Sequence, residues 1–406
     1  MTASQDRASG PHLQEHEGGT SAIADEWQTI TSGVHSYDEW STLEQVAVGV
    51  ATNYSHHHID VSFKLFYLEN VEPIIGPDGA AERYLELPKR VVEELCEDLE
   101  GLVDALTTFG ATVLRPVALP SATAISTPFW SSQATPALNV RDQTLILGDT
   151  IVETATHVRA RYFENDFLKP MLYRYFAHGS RWIAMPRPSL ARGALDPGYY
   201  TSHGYDTTRL LTDREACELP GLPYELVFDG AQCIRIGSDV LVNVANENHQ
   251  LGYEWLVRQL GDRFTFHRLA AMADNHVDSI MMPLRPGLLL LRSENYREML
   301  PEPLRKWDVI YAPEVSEHRF PDYGEHGFNL ASRFIDMNVL SLDESTVVVN
   351  SLYPELVDVL RNRGFEVVPV RHRHRRLFSG GFHCFTLDCV RAGGYETYLD
   401  HETSAC

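Results

Sequence analysis

Apolar positions along this chain follow helical spacing in several stretches, and each stretch leads into a short run typical of a strand. Between residues 91 and 106 the apolar side chains recur at helical intervals, Gly110 follows, and residues 111–114 read as a strand. The same order returns three more times, at 253–266, 296–311 and 354–370. These patterns predict a repeated helix–strand unit with one apolar face.

Paired short strands precede three of these helices. The hairpins are predicted to turn at 237–238, 286–287 and 343–344. A further pair around Gly148 would form a fifth module by closing on N-terminal residues such as 46–48. The repeated order of strand, strand, helix and strand also fits an ordinary doubly wound α/β sheet.

Length and composition indicate one large α/β protein. The 406 residues are 44% hydrophobic and 22% charged, which suffices for a large core. The formal charge of −22 argues against nucleic-acid binding and would draw small cations into acidic clefts. No signal-like or membrane-spanning segment is apparent, and the six cysteines lack a CxxC pair, so a reducing cytoplasm fits best.

The N-terminal part differs in composition from the rest. Residues 1–30 are rich in Ser, Gly, Gln, His and Glu, lack apolar periodicity, and are predicted to form a disordered tail. Residues 35–406 are predicted to form a single domain.

The hexapeptide Gly-Gly-Phe-His-Cys-Phe at 380–385 carries the most informative chemistry. It presents the thiol of Cys384 behind two flexible glycines, which is typical of a nucleophile. Two distant segments add the imidazole of His276 and the carboxylates of Asp229 and Asp278. Neighbouring residues in an extended segment point apart, so His383 is interpreted as a packing or loop residue. The other cysteines are expected to be structural thiols.

Five ordered motifs resemble those of the amidinotransferases, and the similarity runs from about residue 37 to the C-terminus. The motifs lie at 228–237, 276–279, 283–287, 337–340 and 380–384. The chain is similar to glycine amidinotransferase and, more closely, to the inosamine-phosphate amidinotransferases of aminoglycoside antibiotic pathways. This resemblance implies the pentein fold, a five-module α/β propeller with pseudo-fivefold symmetry and a central active site.

The resemblance also implies transfer of an amidino group from L-arginine, or a related guanidino donor, to a primary amine in natural-product biosynthesis. Delocalised charge deactivates the guanidinium carbon, so the thiolate of Cys384 is the expected nucleophile. His276 would protonate the leaving amine and deprotonate the incoming one. Asp229 would orient His276.

Carboxylates suit the planar guanidinium, and Asp142 joins Asp278 in that expected role. Ser332 is carried over from the family as a substrate-binding residue, but the serine expected before it is Ala331.

A second departure concerns the donor's carboxylate. The family usually carries an arginine soon after the Pro-Gly strand, where this chain has Asn295, with Arg292 and Arg297 close by. Either the donor is held differently or it is not arginine.

The expected partners are small molecules, with no nucleic acid and no membrane, and the chemistry needs no metal or organic cofactor. A homodimer is the default assembly. The histidine-rich runs at 56–58 and 372–376 lack further zinc-like spacing and are expected in solvated loops. Residues 51–80 match the family poorly and are a candidate lid that selects the acceptor.

Two alternatives stay open from the sequence. An arginine deiminase-type guanidine hydrolase would use the same fold, with water resolving the intermediate. A non-catalytic binding protein is suggested by the altered donor positions, although Cys384, His276 and Asp229 are intact.

Overall fold

The computed structural model describes residues 27–60, 62–63, 83–191, 224–316, 319–323 and 329–399. The strands in chain order are β1 (Leu43–Val48), β2 (His56–Ile59), β3 (Arg83–Glu86), β4 (Thr112–Leu114), β5 (Ala124–Ser126), β6 (Ser131–Gln133), β7 (Thr144–Leu147), β8 (Thr150–Glu153), β9 (Arg181–Ala184), β10 (Cys233–Ile236), β11 (Asp239–Val244), β12 (Thr265–Ala270), β13 (Met281–Arg285), β14 (Leu288–Leu291), β15 (Asp308–Tyr311), β16 (Leu340–Ser341), β17 (Thr346–Asn350), β18 (Glu366–Val370) and β19 (Thr386–Arg391). The helices are α1 (Lys89–Phe109), α2 (Val140–Gln143), α3 (Lys169–Ala177), α4 (Glu247–Leu260), α5 (Glu302–Arg305), α6 (Pro354–Asn362) and α7 (Arg375–Phe378).

Most of these strands belong to five three-stranded sheets with one common arrangement. In each sheet two antiparallel strands are followed by a third strand parallel to the middle one. Four sheets are continuous in the chain: β7-β8-β9, β10-β11-β12, β13-β14-β15 and β16-β17-β18. The fifth, β19-β1-β4, combines the two ends of the described chain. A parallel third strand requires a crossover, and helices α3, α4 and α6 supply it in three of the sheets.

The predicted helix–strand units are confirmed at three of four places. Helix α1 is capped by Gly110, whose positive φ of 108° lets the Ala111 N–H donate back to the Leu106 carbonyl, and β4 follows at once. The unit at 296–311 departs from the prediction. A 3-10 helix (Glu294–Met299) and the short α5 replace one long helix, because Pro301 and Pro303 remove backbone donors there.

The predicted fifth module is wrong in one respect. The β7–β8 hairpin does not close on residues 46–48; it continues through α3 to the parallel strand β9. Strand β1 instead lies between β19 and β4, where Val46 pairs with Asp388 on one side and Val113 on the other. The 3-10 turns and helix α3 that follow β8 return the chain to that strand's own open edge, so a local crossover is available.

The histidine-rich runs are not solvated, contrary to expectation. His57 and His58 lie buried in β2, and the His58 ring stacks on Tyr84 with centroids 4.0 Å apart. His372 and His374 are also buried, and a Glu94 oxygen lies 2.8 Å from His374 Nε2. Specific polar partners offset the cost of burying these rings.

Two other predictions fall largely outside the described residues. Of the predicted tail at 1–30, residues 27–29 form a 3-10 turn and Trp27 Nε1 donates to the Arg115 carbonyl (3.1 Å). Of the candidate lid at 51–80, the described part contains β2, which pairs with β3. None of the helices in the described ranges is long and apolar enough to cross a membrane.

The five sheets share one more property. The short segment that enters the first strand of each hairpin carries a buried polar or reactive residue. In order of the sheets these are Asp142, Asp229, Asp278, Asn338 and Cys384. Equivalent positions of five modules therefore supply the groups described next.

Candidate active site

Cys384 lies two residues before β19, with its backbone N–H donating to Asn338 Oδ1 (2.8 Å). Its side chain is 2% exposed. The preceding glycines are needed for close packing rather than flexibility. A Cβ at Gly381 would lie 2.6 Å from the Asn338 side chain, and one at Gly380 would lie 2.3 Å from Asn139 Oδ1.

A cavity of about 290 Å³ opens beside this thiol. Its wall includes Cys384, His276, Asp278 and Ser332. A second cavity of about 440 Å³ shares Arg292 and Tyr296 with the first. The two volumes together could admit a flexible, elongated substrate.

Three distant segments bring the predicted residues together with the thiol. A ring nitrogen of His276, a carboxylate oxygen of Asp142 and the sulfur of Cys384 all lie within 4.8 Å of one another. Asp278 Oδ2 is 3.4 Å from that sulfur. Asp229 Oδ2 is 3.1 Å from Nε2 of His276.

In the described part of the chain, one group of three or more His, Cys and carboxylate side chains is compact enough to hold a cation. It consists of Asp142, His276 and Cys384. A metal there would share the thiol with the chemistry considered below.

Oδ1 of Asp229 makes no hydrogen bond among the described residues, and neither do two carboxylate oxygens beside the sulfur: Oδ1 of Asp142 and Oδ1 of Asp278. Both side chains are completely buried. The second oxygen of Asp142 accepts from Arg161 Nη1 at 2.6 Å. A buried acceptor without a partner costs about 1–3 kcal/mol, so this site is built to receive hydrogen-bond donors.

The same carboxylates set the ionisation of the thiol. Burial, followed by the negative charges of Asp278 and Asp142, raises the pKa of Cys384 well above its ordinary value. Burial lowers the pKa of His276, but Asp142 and Asp229 outweigh it and the net pKa is raised. Without a bound cation, the site therefore favours a neutral thiol beside a protonated imidazole.

Local backbone structure positions Asp229 for its contact with His276. It precedes the 3-10 turn Gly230–Gln232, and Gln232 Oε1 accepts from its backbone N–H (2.9 Å). Burial would raise the pKa of Asp229, but the imidazoles of His157 and His276 bring it well below the usual range. The carboxylate is therefore ionised.

His383 is closer to the chemistry than the sequence indicated. It is 1% exposed, its Nδ1 lies 2.8 Å from Asp278 Oδ2, and its Nε2 lies 3.2 Å from Glu39 Oε2. Burial would raise the pKa of Glu39, but Arg235 and His383 hold it well below its usual range. Both ring nitrogens of His383 therefore face carboxylate oxygens, which only accept hydrogen bonds. Adjacency to Cys384 was the available signal, but it did not show which way the ring points.

The structure also places the residues at which the chain departs from the family's expected donor-binding pattern. Ser332 and Ala331 both line the first cavity, whereas Asn295 lines the second. Arg297 donates to the backbone carbonyls of Arg305 and Trp307, so it stabilises local structure. Arg292 lines both cavities.

The Arg292 guanidinium lies 4.5 Å from the Phe334 ring centroid. It makes no ion pair with the residues that the structure describes. Its positive charge is therefore not offset by a carboxylate among the described residues.

Comparisons with known proteins agree with this arrangement. The chain is 36% identical over 372 residues to a putative inosamine-phosphate amidinotransferase from Streptomyces griseus, covering 90% of this chain and 98% of the relative. It is 31% identical over 378 residues to an L-arginine:L-lysine amidinotransferase from Pseudomonas savastanoi pv. phaseolicola, covering 91% and 97%. No protein-family model matches.

Solved structures give the same result. An inosamine-phosphate amidinotransferase from Streptomyces griseus superposes with a TM-score of 0.75 at 32% identity, covering 91% of this chain and all of the other. A dimethylarginine dimethylaminohydrolase from Pseudomonas aeruginosa, at 13% identity, shares only the fold, with a TM-score of 0.52 over 85% of this chain and 99% of its own.

These likenesses define an enzyme of the pentein fold. The chain belongs to the amidinotransferase family.

Proposed function

We propose that this enzyme moves an amidino group from L-arginine, or a related guanidino donor, to a primary amine through a covalent intermediate on Cys384. The observation that carries the proposal is the pair of buried carboxylate oxygens without partners beside the sulfur, on Asp142 and Asp278. A guanidinium is planar, cationic and rich in N–H donors, so it satisfies both oxygens at once.

Donor binding changes the thiol. The cation offsets the two negative charges that raise the pKa of Cys384, so the thiol loses its proton to bulk solvent as the guanidinium arrives, while His276 keeps its own proton. The sulfur then attacks the central guanidinium carbon. The bond from that carbon to the donor's side-chain nitrogen breaks, and His276 gives its proton to the departing amine.

The second half-reaction reverses these roles. The acceptor amine attacks the amidino carbon, the carbon–sulfur bond breaks, and His276, now neutral, takes the surplus proton from the amine. Asp229 stabilises the imidazolium that results. A metal on the cluster would occupy the sulfur lone pair that attacks carbon, so we assign Asp142, His276 and Cys384 to covalent and proton-transfer chemistry.

Arg292 is our candidate for the donor's carboxylate. Its position in the wall of both cavities, without an ion pair to the described residues, supports this role in place of Asn295. Ser332 lines the same cavity and its Oγ accepts from Phe334 N (3.0 Å), leaving its hydroxyl proton available to a ligand. A natural-product pathway is the setting we propose, because the named relatives act on an inosamine phosphate and on lysine.

We also infer that the five sheets surround a central channel as a propeller. The equivalent placement of Asp142, Asp229, Asp278, Asn338 and Cys384 before the first strand of each hairpin supports this arrangement. A cytoplasmic location and a homodimer complete the proposal, since a catalytic thiol must stay reduced and twofold dimers are the commonest assembly.

Mass spectrometry with arginine labelled in its guanidino carbon tests the reaction. Arginine alone should give an amidino adduct on Cys384 and one equivalent of ornithine, and a panel of amines should then remove the adduct as a new guanidine. Citrulline and ammonia from arginine alone would instead establish a hydrolase.

Replacing the thiol tests the nucleophile. Cys384→Ala should abolish both adduct and turnover, whereas Cys96→Ala, half-buried on α1, should change neither. An adduct that persists in Cys384→Ala would overturn the assignment.

A further inference from the structure

Two completely buried histidines lie behind Asp229, on the side away from His276. His157 Nδ1 is 3.1 Å from Asp229 Oδ1, and His157 Nε2 is 2.7 Å from His249 Nε2. A continuous series of polar groups thus runs from the cavity wall at His276 through Asp229 to His249. No sequence motif indicated either residue.

The hydrogen bonds define which nitrogen carries each proton. The backbone N–H of Ala245 donates to His249 Nδ1 (3.3 Å), so that nitrogen is unprotonated. Burial lowers the pKa of His249 well below its ordinary value, so the ring is neutral and its proton is on Nε2. That proton is donated to His157 Nε2, which leaves the His157 proton on Nδ1, facing Asp229.

Asn246 is the other polar group at His249. Its Oδ1 accepts from the His249 backbone N–H (2.9 Å), and its amide nitrogen is 3.3 Å from Nε2. Since Nε2 already carries a proton, this second contact is between two donors and contributes no hydrogen bond. The Asn246 side chain therefore fixes the start of α4 rather than the tautomer.

We propose that His157 and His249 are positioning residues that hold the Asp229 carboxylate in the orientation and charge state that His276 requires. The inference rests on the proposed function, because it assigns these rings a part in the proton transfer by His276. His157 Nδ1 lies 3.1 Å from Asp229 Oδ1, off the line of a good hydrogen bond, and attracts that oxygen while Oδ2 faces His276; His249 fixes the tautomer of His157.

If His157 and His249 only filled space in the core, replacing them would have a different effect. An apolar side chain of similar volume would fill the same space without two buried polar rings, which are costly unless their hydrogen bonds are satisfied. Only an N–H donor at the place of His157 Nδ1 can hold Asp229 Oδ1. Variants that keep or move that donor separate the two roles.

The other charged groups around Asp229 and His276 are unchanged in such variants. They are Asp142, Asp278, Arg161, Glu164 and the Cys384 thiol. Loss of one donor to Asp229 raises the basicity of that carboxylate and strengthens its hold on the His276 proton. The resolution step, which needs neutral His276, should therefore move to higher pH.

The decisive comparison is His157→Asn with His157→Gln. Asparagine places an amide N–H where Nδ1 is, and glutamine places it near Nε2. His157→Asn should keep kcat within about 3-fold of wild type and keep the pH profile. His157→Gln should lose about 10- to 100-fold in kcat with little change in KM, and its resolution limb should move up by about one pH unit.

His157→Leu and His249→Leu complete the series. Both should impair kcat, with the smaller loss for His249, which acts only through His157. If His157→Leu does not fold, the Asn and Gln pair still decides. Equal kcat and equal pH profiles for Asn and Gln would overturn the inference.

Adduct formation by the wild-type enzyme is measured first. Its absence would mean that the proposed function fails. A normal wild-type adduct with indifferent His157 variants would mean that only this inference fails.

Discussion

Two histidine–aspartate pairs flank Cys384, and they differ in what surrounds them. In the His276–Asp229 pair the histidine forms part of the cavity wall, with its side chain 10% exposed, whereas in the other pair only Asp278 reaches that wall. The His383–Asp278 pair is 1% exposed on both sides, and Glu39 occupies the second ring nitrogen of His383. Similar residues, at similar distances from each other, therefore sit in two different environments.

The difference bears on proton transfer. His383 cannot give up a proton without leaving two buried carboxylates facing each other, whereas His276 lies beside the space where a substrate amine would be. We infer that His276 works as the acid and base and that His383 is a fixed cation that holds Asp278 beside the thiol. Burial and partners, rather than distance along the chain from Cys384, distinguish the two.

The largest expected effect comes from removing the exchangeable proton. His276→Gln should lower kcat by about 10²- to 10⁴-fold, the usual contribution of general acid–base catalysis. Its free energy of unfolding should change by only about 1 kcal/mol, because the ring borders a cavity. Steady-state kinetics and chemical denaturation check both values. A large loss of stability with normal kcat would contradict the division of roles.

The opposite pattern, a large loss of stability, is expected when His383 is replaced. His383→Gln leaves Glu39 and Asp278 without their shared cation and should lower the free energy of unfolding by about 3–5 kcal/mol, as measured with urea. The control is Arg258→Gln, whose guanidinium pairs with Glu254 at 2.9 Å on the surface, and which should cost about 1 kcal/mol or less. Equal losses in the two variants would refute a structural role for the His383 cation.

Replacing Asp142 or Asp278 is expected to weaken donor binding but to increase the reactivity of the donor-free thiol. Asp142→Asn and Asp278→Asn should each weaken donor binding by about 10- to 100-fold, because a charge-assisted hydrogen bond is lost. Each also removes a negative charge that raises the pKa of Cys384, so that pKa falls and iodoacetamide should alkylate the donor-free enzyme faster at pH 8.

Asp149→Asn is the matched control for these carboxylates. Asp149 pairs with Arg263 at 2.6 Å and lies outside the cavity wall, so neither donor binding nor alkylation should change. Slower alkylation of Asp142→Asn or Asp278→Asn than of wild type would show that the electrostatic account of the thiol is incorrect.

The smallest expected effect concerns Arg292, which lies in the wall of both cavities. Arg292→Leu should raise KM for arginine about 10-fold and leave KM for decarboxylated arginine unchanged, since only the carboxylate contact is lost. Arg333→Leu is the control, because Arg333 contacts the same Phe334 ring but pairs with Glu314 at 3.2 Å. Equal effects on both donors would exclude Arg292 as the carboxylate site.

Much of the local structure could be predicted from the sequence. Apolar spacing and glycine positions predicted α1, α6 and the hairpins, because helix and strand periods are properties of neighbouring residues. Cys384, His276 and Asp229 could be proposed as catalytic residues because a reactive thiol, an imidazole and a carboxylate have few substitutes in the proposed chemistry.

What the sequence determined by itself was therefore most of the repeated helices and hairpins and the types of reactive group. The tertiary structure decided which elements pair and which groups meet: β1 with β19 and β4, His383 with Glu39, and His157 with His249. The physical reason is the distance over which each kind of interaction acts. Backbone preferences act over a few residues, whereas a hydrogen bond or a pKa depends on atoms within a few ångströms in space, whatever their separation in the chain.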